Sequence, residues 1–275
     1  MLITAGRLEE AGVAGLSLES THAFRIDAVD VGAAIDAFVA GPEAAEHERT
    51  RLNIVARLRE APSPPSHDPP RFAGSPGRWL SLTSPLKHQI GSWRHTDGAH
   101  GLRSVNALRI DEAGVHSAGT DGAGVVAVAR LAGCPPDDGA VLRMRGGGGA
   151  ARSTAHAWVN AGGRLHLIEG RRALSPRPKQ AILVGAEVPA VLGIDFDGEL
   201  IDLGASKHLV PRYQGELVRN GGALSSDVLD GRWMLVAQHL EAWRSLWAPE
   251  LRDVLPSIPD LMADLLAVEA MMDEA

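Results

Sequence analysis

Ala155-His156-Ala157-Trp158-Val159 and Arg164-Leu165-His166-Leu167-Ile168 are separated by Asn160-Ala161-Gly162-Gly163. Two short apolar-rich runs joined by a few residues that include glycine read as a β-hairpin. Farther along, Val191 to Phe196 and Glu199 to Leu203 flank Asp197-Gly198, a pair that tolerates the positive φ of a tight hairpin turn. Working outward, Trp79 to Leu82, Ala107 to Ile110, Val125 to Leu131, Val141 to Arg145 and Ala181 to Val184 add short strand candidates. Many short strands with glycine-rich turns predict a mostly antiparallel sheet or half-open barrel in the middle of the chain.

Both ends read as helix. Val31 to Val39 and Pro42 to Ala61 carry helical spacing, and Pro42 suits a first helical turn. Leu16 to Asp27 alternates enough for a further hairpin. At the other end, Ser225 or Ser226 caps a helix through Trp243, and Asp260 to Met272 places Leu261, Leu265, Val268 and Met272 on one stripe. That stripe either packs on the sheet or forms a homodimer contact. Pro62 to Pro70 holds five prolines, an extended connector by composition. The expected class is therefore α+β, in four parts. These are a mainly helical region 1–61, a Pro-rich connector 62–78, a β-rich domain 79–223, and C-terminal helices 224–275 packing on it.

Cys134 is the one cysteine, so no internal disulfide can form. The opening residues turn acidic at once, which argues against a signal peptide. No run approaches the length of apolar residues that spans a membrane, so the expectation is a bacterial cytoplasmic protein.

Complete catalytic signatures are missing. The sequence has no Cys-x-x-Cys or His-Glu-x-x-His zinc pattern and no Gly-x-Ser-x-Gly elbow. Gly146 to Gly149 lacks a following Lys-Ser/Thr and does not lead a clear helix, so neither a P-loop nor a dinucleotide fingerprint is read, and the run is taken for a mobile hairpin tip or active-site flap. Cys134, within Gly133-Cys134-Pro135-Pro136, reads as an inert buried thiol.

Two binding chemistries remain. His95-Thr96-Asp97 with the later His156 supplies two imidazoles and a carboxylate, a set that can hold one face of Fe(II). With Arg164 following, this segment resembles the Fe(II)/2-oxoglutarate-dependent oxygenases. The resemblance implies His95, Asp97 and His156 as metal ligands, Arg164 as cosubstrate clamp, and Fe(II) and 2-oxoglutarate as cofactors.

The other chemistry is cationic. Residues 62–223 carry 18 basic against 14 acidic side chains, while both flanks are acidic. Arg143, Arg145, Arg152, Arg164, Arg171, Arg172, Arg177 and Lys179 gather with only Glu169 opposing them. Arginines sharing one face of antiparallel strands can grip carboxylates. A free sheet edge can accept an extended peptide, with Trp158 as apolar anchor. Acidic flanks and few aromatics argue against nucleic acid. The sequence thus favours a cofactor-free accessory protein that binds an acidic peptide or protein segment through Arg143, Arg145, Arg152, Trp158, Arg164, Arg171 and Arg172. A peptide-modification pathway is the expected setting, and the oxygenase is the alternative.

Overall fold

In the computed structural model, the stretch 155–168 is not a hairpin. Gly149–Asn160 is a helix, and Arg164–Ile168 is a strand parallel to Val141–Arg145. Ala151, Ala155 and Trp158 are fully buried at helical spacing. The glycines after the helix end it. Gly162 takes φ 93° and donates to the Val159 carbonyl at 3.0 Å. A Cβ on Gly163 would lie 2.2 Å from Trp158 Nε1.

The structure describes residues 1–16, 30–40, 44–60, 78–84, 86–89, 94–95, 98–183, 190–198, 203–212 and 223–273. The strands are β1 (Arg78–Ser81), β2 (Arg94–His95), β3 (Ala107–Asp111), β4 (Gly114–Ala118), β5 (Val141–Arg145), β6 (Arg164–Ile168), β7 (Ile182–Leu183), β8 (Ala190–Asp195), β9 (Ala205–Leu209) and β10 (Val228–Leu229). The helices are α1 (Leu2–Glu10), α2 (Val31–Ala40), α3 (Ala44–Glu60), α4 (Ala99–Leu102), α5 (Asp121–Leu131), α6 (Gly149–Asn160), α7 (Gly231–Ala242) and α8 (Ile258–Asp273).

Two sheets result. The smaller runs β1-β3-β4-β2, with an antiparallel β3–β4 hairpin turning at Gly114. The larger runs β10-β9-β8-β5-β6-β7, and every pairing in it is parallel. Counted from β5, that is the 3-2-1-4-5-6 order of a doubly wound dinucleotide-binding sheet. This corrects the expected mainly antiparallel, half-open barrel. The Val125–Leu131 run belongs to α5. The strand beside β8 is β9, parallel to it, while 199–202 of the second expected hairpin lie outside the described residues.

The main core lies on one face of the parallel sheet. Leu142, Met144, Leu165, Leu167, Leu192 and Ile194 meet Val125, Val128, Ala155, Trp158, Trp233 and Leu240 from α5, α6 and α7. A second cluster joins Leu8, Trp243 and Trp247 to Ala107 and Ala118 of the small sheet, with Trp79 packed against it.

The C-terminal stripe packs on helices rather than the sheet. Leu261 and Val268 are buried as α8 lies against α3, α1 and α7. Arg7 grips the fully buried Asp264 through two bonds of 2.7 and 2.8 Å, with Arg57 adding a third at 3.2 Å. The 16–27 hairpin, Leu16 apart, and residues 62–77 of the connector lie outside the described residues. Among the described residues, no helix is long and apolar enough to cross a membrane.

Candidate active site

Lys87 reaches its place from the small sheet. After β1 the chain turns, Leu86 N–H donating to Thr83 O at 2.9 Å, and a single 3₁₀ turn carries Leu86–His88. Leu86 is buried and anchors the turn. Val105 N–H donates to Lys87 O at 3.1 Å, pinning the Lys87 backbone.

Asp121 approaches from the other side as the first residue of α5. The buried Asn106 side chain holds the entry to this helix. Its Oδ1 accepts from Thr120 N–H at 2.5 Å, and its Nδ2 donates to Thr120 Oγ1 at 3.0 Å. Two glycines then let neighbouring helices close on the start of α5. A Cβ on Gly122 would lie 2.2 Å from Ser153 O of α6, and one on Gly124 would lie 2.7 Å from Gln238 N of α7. These close crossings bring the α6 N-terminus and the Gln238-His239 pair to Asp121.

The result is an ion pair with Lys87 Nζ 2.6 Å from Asp121 Oδ2. The Asp121 side chain is fully buried and that of Lys87 is 14% exposed, so the ammonium is the partner nearer the cleft. Asp121 Oδ1 has no hydrogen-bond partner among the described residues. A buried acceptor left over in this way is unusual enough to need a role. The cleft in front of the pair encloses about 460 Å³, the scale of a small-molecule site. Ser81, Thr83, Ser84, Gln238 and His239 line it together with Gly148 to Ala151. His239 lies 3.0 Å from Ser81 Oγ through Nε2. Burial, with neighbouring positive charge from Lys87 among others, pushes its imidazole down to about 3, so it stays neutral at physiological pH.

The glycine side of the cleft has its own logic. Gly146-Gly147-Gly148-Gly149-Ala150-Ala151 links the end of β5 to α6, beside the point where the strand order reverses between β5 and β8. Gly146, Gly148 and Ala151 fit the Gly-x-Gly-x-x-Gly/Ala spacing of a dinucleotide fingerprint in its strand-to-helix setting. Gly146 takes φ 116°, where a Cβ is strained and would also lie 2.8 Å from Phe196 Cβ. A Cβ on Gly147 would lie 2.5 Å from both the Arg172 and Ala173 carbonyls. Gly148 differs, since a Cβ there would meet nothing within 4 Å among the described residues. The protein does not need that glycine for its own packing, whereas a close-approaching pyrophosphate does. No side chain caps α6 at Gly148, which leaves first-turn N–H groups for an anion. The loop is braced from behind. Ser104 Oγ donates to Gly149 O at 2.7 Å, and Arg152 donates to the Leu102, Gly147 and Arg103 carbonyls at 2.6, 2.9 and 2.8 Å. The residues present therefore fit a nicotinamide dinucleotide.

No family model matches the sequence. The chain is 28% identical over 211 residues to the shikimate dehydrogenase (NADP(+)) of Halobacterium salinarum, covering 65% of this chain and 78% of that protein. In structure it is similar to an Ael1 enzyme from Pseudomonas putida, with 17% identity, 81% of this chain and 95% of that one covered, and TM-score 0.56. It is also similar to the shikimate 5-dehydrogenase of Thermus thermophilus in complex with shikimate, with 21% identity, 70% and 78% covered, and TM-score 0.52. The fold is shikimate dehydrogenase-like.

These findings overturn the accessory peptide-binding protein and the oxygenase alternative, together with the expectation of no cofactor. The arginines are also scattered by the fold. Arg143 is buried inside β5, and Arg145 pairs with Asp195 at 3.4 Å. Arg152 is spent on backbone carbonyls, and Arg164, at the opposite end of β6, donates to Gly139 O. Arg171 donates to the Asp197 carbonyl, Arg172 is exposed, and Trp158 is core. The iron reading fares no better. His95 stands on β2 of the small sheet, His156 on helix α6 against Pro176 O, and Asp97 lies outside the described residues. No group of three potential metal ligands forms among the described residues. Cys134 is buried and its thiol is pushed up by desolvation, as an inert cysteine should be.

Sequence reading missed Lys87, Asp121 and the fingerprint. Thr120-Asp121 ahead of an apolar run was a usable helix-start signal. The glycine loop was legible once Ala151, Ala155 and Trp158 were read at helical period. Lys87 carried no signal in one sequence.

Proposed function

We propose that the protein is a nicotinamide-dinucleotide-dependent oxidoreductase that interconverts a ring hydroxyl and a ketone on shikimate or a closely similar hydroxylated acid. The observation that carries this reading is the Lys87–Asp121 pair, 2.6 Å apart in the same cleft as the glycine loop. The curated relative's name, a shikimate dehydrogenase, supports the substrate class.

When bound, the dinucleotide accepts or supplies the hydride. Everything else falls to the chain. Lys87 Nζ donates a hydrogen bond to the reacting oxygen and gives it a proton when the ketone is reduced. In the oxidising direction the amine takes that proton back. Asp121 fixes the Lys87 side chain through Oδ2, and its unpaired Oδ1 accepts from an adjacent substrate hydroxyl. Ser81, Thr83, Ser84 and Gln238 offer further partners for a polyhydroxylated ring. The neutral His239 adds a polar contact without a competing charge. Phe196 adds an apolar surface to the cleft beside the glycine loop. We place this activity in the cytoplasm, where Cys134 stays a thiol.

The test is shikimate-dependent formation of reduced dinucleotide. Lys87→Ala is expected to lower kcat/KM by about a hundredfold or more while leaving dinucleotide affinity intact. Undiminished turnover in that variant contradicts the assignment.

A further inference from the structure

The strand next to the glycine loop ends in Ile168-Glu169-Gly170-Arg171-Arg172. Ile168 pairs with Arg145, so Glu169 stands beside the start of the loop that follows β5. The packing is close. A Cβ on Gly170 would lie 3.0 Å from Gly146 N, and one on Gly147 would clash with the Arg172 carbonyl. Arg145 Nε donates to the Glu169 carbonyl at 3.4 Å, which fixes the backbone at this point. In doubly wound folds, an acid at the end of this second strand, about 20 residues beyond the fingerprint, receives the adenosine ribose hydroxyls.

Glu169 is exposed, and no hydrogen bond or ion pair reaches its carboxylate among the described residues. The two arginines that follow do not neutralise it. The Arg171 backbone N–H donates to Asp197 Oδ2 at 2.6 Å, and its guanidinium donates to the Asp197 carbonyl. Arg172 is exposed, and no hydrogen bond or ion pair joins it to Glu169 among the described residues. An uncompensated carboxylate is thus left at the ribose position.

We infer that Glu169 makes this site select a dinucleotide with a free ribose 2′-hydroxyl, NAD, over one with a 2′-phosphate, NADP. The inference rests on the dinucleotide reading above, and it separates this chain from the NADP-named relative. A carboxylate accepts hydrogen bonds from a vicinal diol, whereas it repels a phosphate.

Calorimetric titration of the intact protein with NAD⁺ and with NADP⁺ decides the matter without turnover. NAD⁺ is expected to bind roughly tenfold or more tightly than NADP⁺, because juxtaposed like charges are strongly disfavoured. Glu169→Ala should bring the two affinities together, chiefly by strengthening NADP⁺, while Glu169→Gln should keep part of the NAD⁺ affinity. Thermal melting checks that both variants fold, as substitution of an exposed side chain allows. NADP⁺ binding as tightly as NAD⁺ to the unaltered protein, or a preference unmoved by Glu169→Ala, overturns the inference and leaves the dinucleotide site standing. Binding of neither nucleotide overturns the site and the inference together.

Discussion

Replacing Gly148 by alanine separates what the glycine loop does for the fold from what it does for a ligand. Gly148 has φ −72° and ψ −177°, a conformation any residue adopts, and among the described residues a Cβ there meets nothing within 4 Å. Alanine at this helix N-cap costs about 0.5–1 kcal/mol relative to glycine. The loss of unfolded-state freedom returns about 0.4–1 kcal/mol. The two nearly cancel, so the melting temperature should move by no more than about 2 °C. A methyl group facing the pyrophosphate, however, overpacks that contact by about 1–3 kcal/mol. On the affinity scale this weakens dinucleotide binding by about tenfold to a hundredfold. Gly147→Ala provides the opposite case. Its Cβ would lie 2.5 Å from two backbone carbonyls, so the fold itself should lose about 1–3 kcal/mol. Calorimetric titration and thermal melts on both variants read the two quantities separately. Dinucleotide affinity unchanged in Gly148→Ala refutes the placement of the pyrophosphate.

Other outcomes follow from the same structure. Asp264→Ala strands Arg7 and Arg57 without their buried carboxylate and should cost about 3–5 kcal/mol in chemical denaturation. His239, at about 3 in the fold against an ordinary 6.5, takes up its proton first in the unfolded chain. Its contribution is therefore complete above pH 6.5 and is lost as pH falls from there toward 3. His239→Gln should flatten that acid limb of the stability profile, and an unchanged slope contradicts the burial. Cys134 should resist a thiol reagent in native protein and react fully in denaturant, because desolvation raises its pKa.

How much of this was legible in the sequence depended on period. The small-sheet strands at 79–82 and 107–110 were found because their alternation matches a half-buried strand. The glycine-ended helix α6 was not, because Ala155 to Val159 taken alone reads as strand. Only with Ala151 included does the buried stripe show a period of 3.6. That one misreading turned a parallel crossover into a hairpin and removed the helix from the glycine loop, so the fingerprint was discarded with it. Buried Arg143 and His166 broke up the apolar runs that usually mark a doubly covered parallel sheet. The Lys87–Asp121 pair joins residues 34 apart in sequence, through turns set by Asn106 and by helix crossings at Gly122 and Gly124. No local pattern encodes that meeting. The arginine concentration was real in composition, but each guanidinium took the direction of its own element.

Hydride transfer is the claim on which the rest stands, and isotope tracing tests it directly. The protein is incubated with NAD⁺ or NADP⁺ and shikimate carrying deuterium on its hydroxyl-bearing carbons, and the dinucleotide is recovered for mass spectrometry. Deuterium in the reduced nicotinamide, absent when Lys87→Ala replaces the unaltered protein, is the result expected. Folded protein that leaves both dinucleotides unreduced and unlabelled contradicts the account.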